Sequence, residues 1–229
     1  MKFSIVVPAY NEEQRVGRFL SDLMDYLKDR SGVEVIVVDD GSTDRTVSVV
    51  KEFKDIRIVS YPKNKGKGFA VKKGILAARG EKIIFMDADG ATPPDEIPKM
   101  LKELDEYDVC IGKRTSKESN IIKWQPTHRV LFSKVFNSFV SLIFNLHLKD
   151  LLCGFKGFKK EVGKKLAKDL KSSGWDFDVE LLVRARNRGY SIKEIPITWQ
   201  DQSKSKLYPF KDAPVILINL LKLKFVRGL

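Results

Sequence analysis

Two aspartates one residue apart, Asp87 and Asp89, have the clearest capacity for chemistry in this sequence. They directly follow the apolar run Lys82–Met86, where a predicted strand gives way to a loop. Carboxylate oxygens are the ligands that Mg²⁺ and Mn²⁺ prefer, and a cation held there can in turn bind a diphosphate. A pair of solvated loop acids or a helix cap explains the same pattern, so both interpretations stay open on these residues alone.

A second acidic pair, Asp39 and Asp40, closes the apolar run Val33–Val38. Capping of the next helix explains the Ser, Thr and Asp that follow, but it does not explain two consecutive acids. Buried acids at the carboxyl end of a strand can accept hydrogen bonds from a nucleobase N–H or a ribose hydroxyl.

The segment Asn64–Gly68 opens a predicted helix and carries two glycines and two lysines. Glycines let backbone N–H groups approach a phosphate closely at a helix N-terminus. The spacing is not that of a Walker motif, and a flexible basic turn explains the segment equally well.

The first half of the chain alternates apolar runs with helix-like stretches, which indicates a mostly parallel sheet covered by helices on both faces. In such sheets the loops after the strands line the ligand crevice, and the unusual residues of this chain lie in those loops. The predicted strands are Phe3–Val7, Val33–Val38, Ile56–Ser60, Lys82–Met86 and Tyr107–Ile111, and the helix-like stretches are Glu12–Lys28, Thr43–Phe53, Gly68–Arg79 and Asp95–Leu104.

Beyond Gly112 two helix candidates are apolar on most sides, Leu131–Leu148 and Pro214–Val226. The first has one narrow polar stripe at helical spacing, and the second ends in a cluster of Lys222, Lys224 and Arg227. A helix buried in the core and a helix lying at a lipid surface explain the first pattern about equally well.

Composition limits the classes of protein to consider. The 229 residues are 43% hydrophobic and 31% charged, as in a folded domain, and the net charge of +12 suits an anionic partner. Two cysteines are too few for a disulfide framework. We find neither a signal peptide nor the 18 or so apolar residues of a spanning helix, so we expect a peripheral protein on the cytoplasmic side of a membrane.

Four motifs in order resemble family-2 glycosyltransferases of the GT-A fold: Pro8–Glu12, Asp39–Ser42, Gly66–Gly68 and Asp87–Gly90. Four further segments are similar to the dolichyl-phosphate mannose and glucose synthases: Leu152–Lys156, Trp175–Glu180, Arg188–Tyr190 and Ser205–Leu207. The resemblance implies a Rossmann-like α/β nucleotide-diphospho-sugar transferase domain over residues 1–212, with membrane-interface helices at about 121–148 inside it and a basic amphipathic helix over 213–229.

The resemblance also implies a role for individual residues. Mg²⁺ or Mn²⁺ would be bound by Asp87 and Asp89, and the catalytic residues would be Asp89, Arg114 and Arg129. The nucleotide sugar would be bound by Pro8, Ala9, Tyr10, Glu12, Val38, Asp39, Asp40, Lys67, Asp87, Ala88, Asp89, Arg114 and Lys206. The acceptor would be bound by Arg129, Ser133, Asp176 and Asp178.

Within this resemblance, one position bears on the sugar. Mannose synthases tend to carry a Gln two residues past the second Asp, where it helps to hold the metal, and this chain has Ala91 there. The run Asp87–Thr92 resembles the relatives that use UDP-glucose. The expected reaction is transfer of glucose from UDP-glucose to a polyprenyl (dolichyl) phosphate with inversion.

Three alternatives accompany this expectation. GDP-mannose is a second possible donor, and a sugar hydroxyl on a soluble glycan is a second possible acceptor. A hydroxyl acceptor requires a general base, for which Asp176 and Asp178 are the candidates. A basic nucleic-acid-binding protein is disfavoured because the sequence has no helix-turn-helix, zinc or RNP pattern, so we expect no nucleic-acid partner.

Overall fold

The computed structural model describes residues 1–202 and 209–225, and within those ranges it contains nine strands and eight α-helices. In chain order they are β1 (Phe3–Ala9), α1 (Val16–Leu27), β2 (Val33–Asp39), α2 (Thr46–Val50), β3 (Ile56–Ser60), α3 (Lys67–Ala77), β4 (Lys82–Met86), α4 (Ile97–Glu106), β5 (Val109–Lys113), β6 (Asn120–Lys123), α5 (Thr127–Phe144), β7 (Phe155–Lys159), α6 (Lys160–Asp169), α7 (Phe177–Asn187), β8 (Ile192–Pro196), β9 (Thr198–Gln200) and α8 (Pro209–Phe225).

Seven strands form the central sheet in the order β3-β2-β1-β4-β7-β5-β8. Only β7 runs antiparallel to its neighbours, and β6 and β9 form a separate parallel pair. The strand order reverses at β1, with β2 on one side and β4 on the other, and ligands bind in the crevice at such a switch point. The predicted mostly parallel sheet is therefore confirmed.

Helices cover both faces of the sheet because alternate strand residues point to opposite sides. In β1, Val6 packs in the core with α3, α5, α6, α7 and α8, whereas Ile5 and Val7 pack in the core with α1 and α4. Five apolar residues of α1 recur at helical spacing and are buried: Val16, Phe19, Leu20, Leu23 and Leu27.

The predicted strands Ile56–Ser60 and Lys82–Met86 have the observed bounds. The first two strands are longer than predicted, since β1 extends to Ala9 and β2 to Asp39. The fifth strand begins two residues later than predicted, at Val109. The sequence did not predict β6 to β9 or α6. Since Asn120–Lys123 is a strand, the helix expected at about 121–148 begins only at Thr127.

Helix α5 divides its apolar residues between the core and the surface. Phe136, Val140 and Phe144 are buried in the core, and Phe139 and Ile143 are partly buried against it. Leu131, Val135 and Leu142 are exposed instead. The core explanation therefore holds for one side of the helix, and a lipid contact on the exposed side stays a prediction.

Helix α8 begins at Pro209, four residues before the predicted segment, and packs against α5. Its residues Ile216, Leu220 and Leu223 join the same core, while Val215, Ile218, Leu221 and Phe225 are exposed. Arg227, in the predicted basic cluster, lies outside the described residues. None of the helices in the described ranges is long and apolar enough to cross a bilayer.

Candidate active site

A cavity of about 490 Å³ opens at the carboxyl ends of β1, β2 and β4. The loops after these strands supply one part of its wall, and α3, α5, α7 and the segment around β9 contribute further residues. The structure brings most of the predicted site residues together around it: Pro8, Ala9, Tyr10, Glu12, Asp40, Lys67, Asp87, Ala88, Asp89, Arg114, Arg129, Ser133 and Asp178.

The two carboxylates after β4 lie at the centre of this wall. The backbone N–H of Asp87 donates to the carbonyl of Gly154 over 3.1 Å, and Asp89 Oδ1 accepts the N–H of Ala91 over 3.0 Å. Burial, together with the charge of Asp87, raises the pKa of Asp89 to about 6. Within residues 1–202 and 209–225, no cluster of three or more His, Cys, Asp or Glu completes a metal site.

This donor set fits a divalent cation. Two carboxylates that lie close enough to repel one another leave a negative charge that a cation would neutralise. Mg²⁺ is typically held by one or two carboxylates, with substrate phosphates and water as the other ligands, so the absence of a third acid among the described residues is compatible with it.

Lys67, the first residue of α3, forms an ion pair with Asp87, with 2.6 Å between Nζ and Oδ1. Its ammonium group lies 5.1 Å from the ring centre of Trp175. Burial lowers the pKa of Lys67, but the charges of Asp87 and Asp178 outweigh that effect and raise the pKa above its ordinary value. Lys67 therefore places a fixed positive charge beside the carboxylates.

The glycines around Lys67 admit protein backbone, which supports the turn interpretation over phosphate binding by the helix N-terminus. The N–H groups of Gly68 and Phe69 donate to the carbonyl of Ser173 over 2.8 and 3.3 Å. A Cβ on Gly66 would lie 2.4 Å from that same carbonyl oxygen. The first-turn amides already have an acceptor, so Lys67 itself is the anion-directed group of this segment.

The acidic pair after β2 organises the neighbouring loops. The carboxylate of Asp40 accepts four hydrogen bonds, from Tyr61 Oη, Asn64 Nδ2 and the backbone N–H groups of Lys65 and Gly66. Four bonds occupy the usual acceptor capacity of a carboxylate. Burial and the hydrogen bond to Asp40 raise the pKa of Tyr61.

The two preceding residues do not reach the cavity wall. Asp39 is buried and accepts hydrogen bonds from the N–H of Ser42 and from Ser60 Oγ, and Val38 is buried in the core. Of the three residues, only Asp40 lines the cavity. Their predicted contact with the nucleoside stays a prediction.

Glu12 is bound by a residue that the sequence did not single out. Arg15 Nε and Nη2 each donate to its carboxylate over 2.7 Å, and Arg15 also lines the cavity. Glu12 and Arg15 are three residues apart at the start of a predicted helix, and this spacing could have predicted their ion pair.

A basic group, Arg114 and Arg129, also lines the cavity. Arg114 Nε and Nη2 bind Asp150 over 2.8 and 2.6 Å, and the guanidinium lies 5.1 Å from the ring centre of Trp199. Burial alone would lower the pKa of Arg114, but the carboxylate of Asp150 raises it above its ordinary value. Arg129 and Ser133 line the cavity one turn apart on α5. Lys206, also predicted here, lies outside the described residues.

The two acids of the predicted acceptor site differ. Asp178 lines the cavity and accepts a hydrogen bond from Lys156 Nζ over 2.5 Å. Complete burial raises the pKa of Asp178, and the ammonium groups of Lys156 and Lys67 oppose this rise. Asp176 is buried, does not line the cavity and accepts a long hydrogen bond from Asn219 Nδ2.

Sequence reasoning missed several lining residues. Trp175 lies in a segment that the family resemblance included, although no role was assigned to it. Trp199, Asp201 and Gln202 follow from strand β9, which the sequence did not predict. A strand of three residues gives too little pattern to be recognised.

Residues 4–167 match the sequence model of glycosyl transferase family 2. The chain belongs to that family. It is similar to dolichyl-phosphate beta-glucosyltransferases, with 36% identity to the enzyme of Drosophila melanogaster, covering 92% of this chain and 70% of the relative. Identity to the Homo sapiens enzyme is 35%, covering 91% of this chain and 70% of the relative. The predicted branch of family 2 is confirmed.

Solved structures agree on the fold of this family-2 transferase. Glucosyl-3-phosphoglycerate synthase of Mycobacterium tuberculosis, crystallised with Mn²⁺, UDP and glucosyl-3-phosphoglycerate, superposes with a TM-score of 0.73 at 20% identity, covering 99% of this chain and 79% of that one. The same enzyme with Mn²⁺ and UDP-glucose gives 0.72 at 19% identity, covering 99% and 78%. The predicted GT-A fold is confirmed.

Proposed function

We propose that this family-2 transferase moves glucose from UDP-glucose to a polyprenyl (dolichyl) phosphate at a membrane surface, with inversion at the anomeric carbon. The names of the similar dolichyl-phosphate beta-glucosyltransferases support both substrates. The observation that carries the proposal is a single cavity lined by two carboxylates, Asp87 and Asp89, together with Lys67 and two arginines, Arg114 and Arg129. Such a site suits a donor diphosphate and an acceptor phosphate side by side.

At the donor end, Asp87 and Asp89 would hold Mg²⁺ or Mn²⁺. The bound cation would neutralise charge on the donor diphosphate as it departs. Lys67 supplies a positive charge to the same diphosphate, and Tyr10 and Asp40 line the adjacent wall where the nucleoside would lie.

At the acceptor end, α5 presents a different chemistry on each side. Arg129 and Ser133 face the cavity, whereas Leu131 and Val135 on the same helix are exposed. One helix thus joins a phosphate-binding wall to an apolar outer surface. An acceptor with a phosphate head and a lipid tail matches that combination.

A second cavity of about 930 Å³ extends the site along α5. It shares Arg114, Gln125, Ser133 and Trp199 with the first cavity, so the two meet at the basic group. Ile121, Trp124 and Leu142 contribute apolar surface to it. We assign the first isoprene units of the acceptor to this groove.

The reaction needs no strong general base, because the acceptor phosphate is already an anion. One of its oxygens attacks the anomeric carbon, the bond from that carbon to the diphosphate oxygen breaks, and the electron pair leaves with UDP. Arg114 and Arg129 hold the attacking phosphate, and Lys67 stabilises charge on the leaving group. The contribution of the protein is positioning and neutralisation of charge.

The outer surface supports a peripheral association with the membrane. We name the apolar face as the exposed apolar residues of α5 and α8: Leu131, Val135, Leu142, Val215, Ile218, Leu221 and Phe225. Lys134 and Lys222 are exposed on the same two helices. Apolar side chains flanked by lysines suit a helix in the headgroup region, where each basic residue contributes about 1 kcal/mol with anionic lipid.

Transfer to a sugar hydroxyl has weaker support, since it requires a general base. Asp176 does not line the cavity, and Asp178 is paired with Lys156. Arg114 and Arg129 also place two cations where a neutral hydroxyl would need none.

Radiolabelled UDP-glucose and GDP-mannose, each incubated with Mn²⁺ and a polyprenyl phosphate or a soluble glycan, test the proposal. We expect organic-phase label from UDP-glucose with the polyprenyl phosphate alone. Label from GDP-mannose would contradict the choice of donor. Label in the soluble glycan would contradict the choice of acceptor.

A further inference from the structure

Lys156 is the second residue of β7, a central strand, and its side chain is completely buried. Its ammonium group donates to the carbonyl of Cys153 over 2.6 Å and to Asp178 over 2.5 Å. Asp178 is itself 2% exposed. Neither the proposed reaction nor the family comparison assigns Lys156 a role.

This buried pair is adjacent to the donor site through a shared aromatic ring. Phe85 of β4 is the strand partner of Lys156, and the ammonium of Lys156 lies 5.5 Å from the centre of its ring. The ammonium of Lys67 lies 5.6 Å from the same centre. Two lysines and their carboxylates, Asp87 and Asp178, therefore surround one side chain.

Burying the pair of Lys156 and Asp178 costs desolvation free energy that the attraction between the two charges does not necessarily offset. Removing an ammonium and a carboxylate from water is expensive, and apolar residues of similar size often replace such pairs without loss of stability. A position inside a central strand would ordinarily favour an apolar residue. Protein stability therefore does not explain why these two charges are buried, whereas their position beside Lys67 suggests a role in the site.

The ammonium of Lys67 and a divalent cation would compete for the negative charge of Asp87. In the structure this ammonium binds Asp87 Oδ1, which is the group that a divalent cation would require. A cation bound to the carboxylates would repel the ammonium of Lys67 and weaken its ion pair with Asp87, so Lys67 would need a second counter-charge. Asp178 is placed for that purpose, because it lines the same cavity as Lys67 and is bound by Lys156, whose ammonium lies with that of Lys67 beside the ring of Phe85.

We propose that Asp178, anchored by Lys156, is the second counter-charge of Lys67 and lets Lys67 pass from Asp87 to the donor diphosphate when a divalent cation binds. Lys156 and Asp178 are then positioning residues, and neither touches the reacting atoms. The inference rests on the proposed donor site.

Two binding measurements test it without reference to turnover. Mn²⁺ affinity is measured by electron paramagnetic resonance without nucleotide, and UDP affinity by calorimetry in saturating Mn²⁺. For Lys67→Met we expect Mn²⁺ to bind about tenfold more tightly, because no ammonium competes for Asp87, and UDP to bind about tenfold more weakly. Each factor of ten corresponds to about 1.4 kcal/mol.

For Asp178→Asn we expect both affinities to fall about tenfold, because Lys67 then stays on Asp87. In a Lys67→Met background the same Asp178→Asn change should have no further effect on either affinity. A purely structural role would not produce this dependence on Lys67.

The neutral pair Lys156→Met/Asp178→Asn guards against misfolding, since it leaves no unpaired buried charge, and it should bind Mn²⁺ and UDP as Asp178→Asn does. The proposal is overturned if the neutral pair binds both like the wild type, or if Lys67→Met fails to tighten Mn²⁺ binding. Equal losses from Asp178→Asn with and without Lys67 would also overturn it. A wild type that binds UDP but glucosylates no polyprenyl phosphate would refute the proposed function and leave these comparisons decisive.

Discussion

Replacing Gly154 by Ala should separate metal binding from folding. Gly154 lies just before β7, and its carbonyl accepts the backbone N–H of Asp87. A Cβ at this position would lie 1.9 Å from Asp87 Oδ2 and 2.3 Å from its Cγ. The single added methyl group therefore occupies the space of the carboxylate that we assign to the cation.

The size of the effect follows from these distances. Real Cβ atoms essentially never lie within 3.0 Å of such an atom, so Oδ2 must retreat by about 1.1 Å. Metal–ligand distances tolerate about 0.2 Å, and a misplacement of about 1 Å can cost about 100-fold in rate. We therefore expect turnover and Mn²⁺ affinity to fall by about that factor.

Stability should change little. The atoms that collide belong to the end of a flexible side chain, and an altered rotamer costs about 0.5 to 1.5 kcal/mol. A gain of about 0.4 to 1 kcal/mol from the less flexible unfolded chain offsets this cost. At about 2 to 4 °C per kcal/mol, the Tm should move by no more than a few degrees.

The assay pairs a thermal melt with Mn²⁺ titration and steady-state turnover. Gly17→Ala is the matched control, because Gly17 lies in α1 and does not line the cavity, and its added Cβ would contact a methyl group of Val49 at 3.0 Å instead of a carboxylate. We expect that control to keep its Mn²⁺ affinity. Wild-type Mn²⁺ affinity in Gly154→Ala would refute the assignment of Asp87 to the metal.

Three further changes have distinct outcomes. Asp89→Asn keeps the volume of the side chain but removes its charge, so turnover should fall about 100-fold or more while the Tm stays unchanged. Near-normal turnover in Mn²⁺ buffer would contradict the metal site. Asp150→Asn leaves the guanidinium of Arg114 buried without its carboxylate, so urea denaturation should show a loss of about 3 kcal/mol or more in the free energy of unfolding. The exposed ion pair of Asp169 with Arg188 is the control, and Asp169→Asn should cost under about 1 kcal/mol. Serine at Leu131, Val135 and Leu142 of α5 should weaken binding to anionic vesicles at low salt by about tenfold or more. The control Leu76→Ser on α3 should bind these vesicles like the wild type, and equal binding by both variants would contradict the membrane proposal.

The first half of the fold could be predicted because each early strand is a mostly apolar run of β-branched and aromatic residues that is followed by turn residues or acids. β3 and β4 were predicted with their observed bounds for this reason. The strand β7 carries two lysines and a glycine among five residues, a composition that hides a central strand. Its buried Lys156 is stabilised by Asp178, 22 residues later, and no local pattern reveals such a partner.

The sequence indicated which residues lie at the site better than it indicated which contacts they make. The two acids after β2 exceed what a helix cap requires, and the structure gives Asp40 four hydrogen-bond donors. Two of those donors are backbone N–H groups, which every sequence contains, so their arrangement follows only from the fold. The same limit applies to Gly68, whose lack of a side chain makes room for the carbonyls of Ser172 and Ser173.

Helix α5 shows why the sequence left core and membrane equally plausible. At 3.6 residues per turn, Phe136, Val140 and Phe144 point to the core, and Leu131 and Leu142 point outward. The polar stripe between those sides lines the groove that leads to the basic group. Core and lipid both require apolar side chains, so hydrophobicity measures how much of a helix avoids water without identifying what covers it. The neighbours decide that question, because α8 covers one apolar side of α5 and no described residue covers the other.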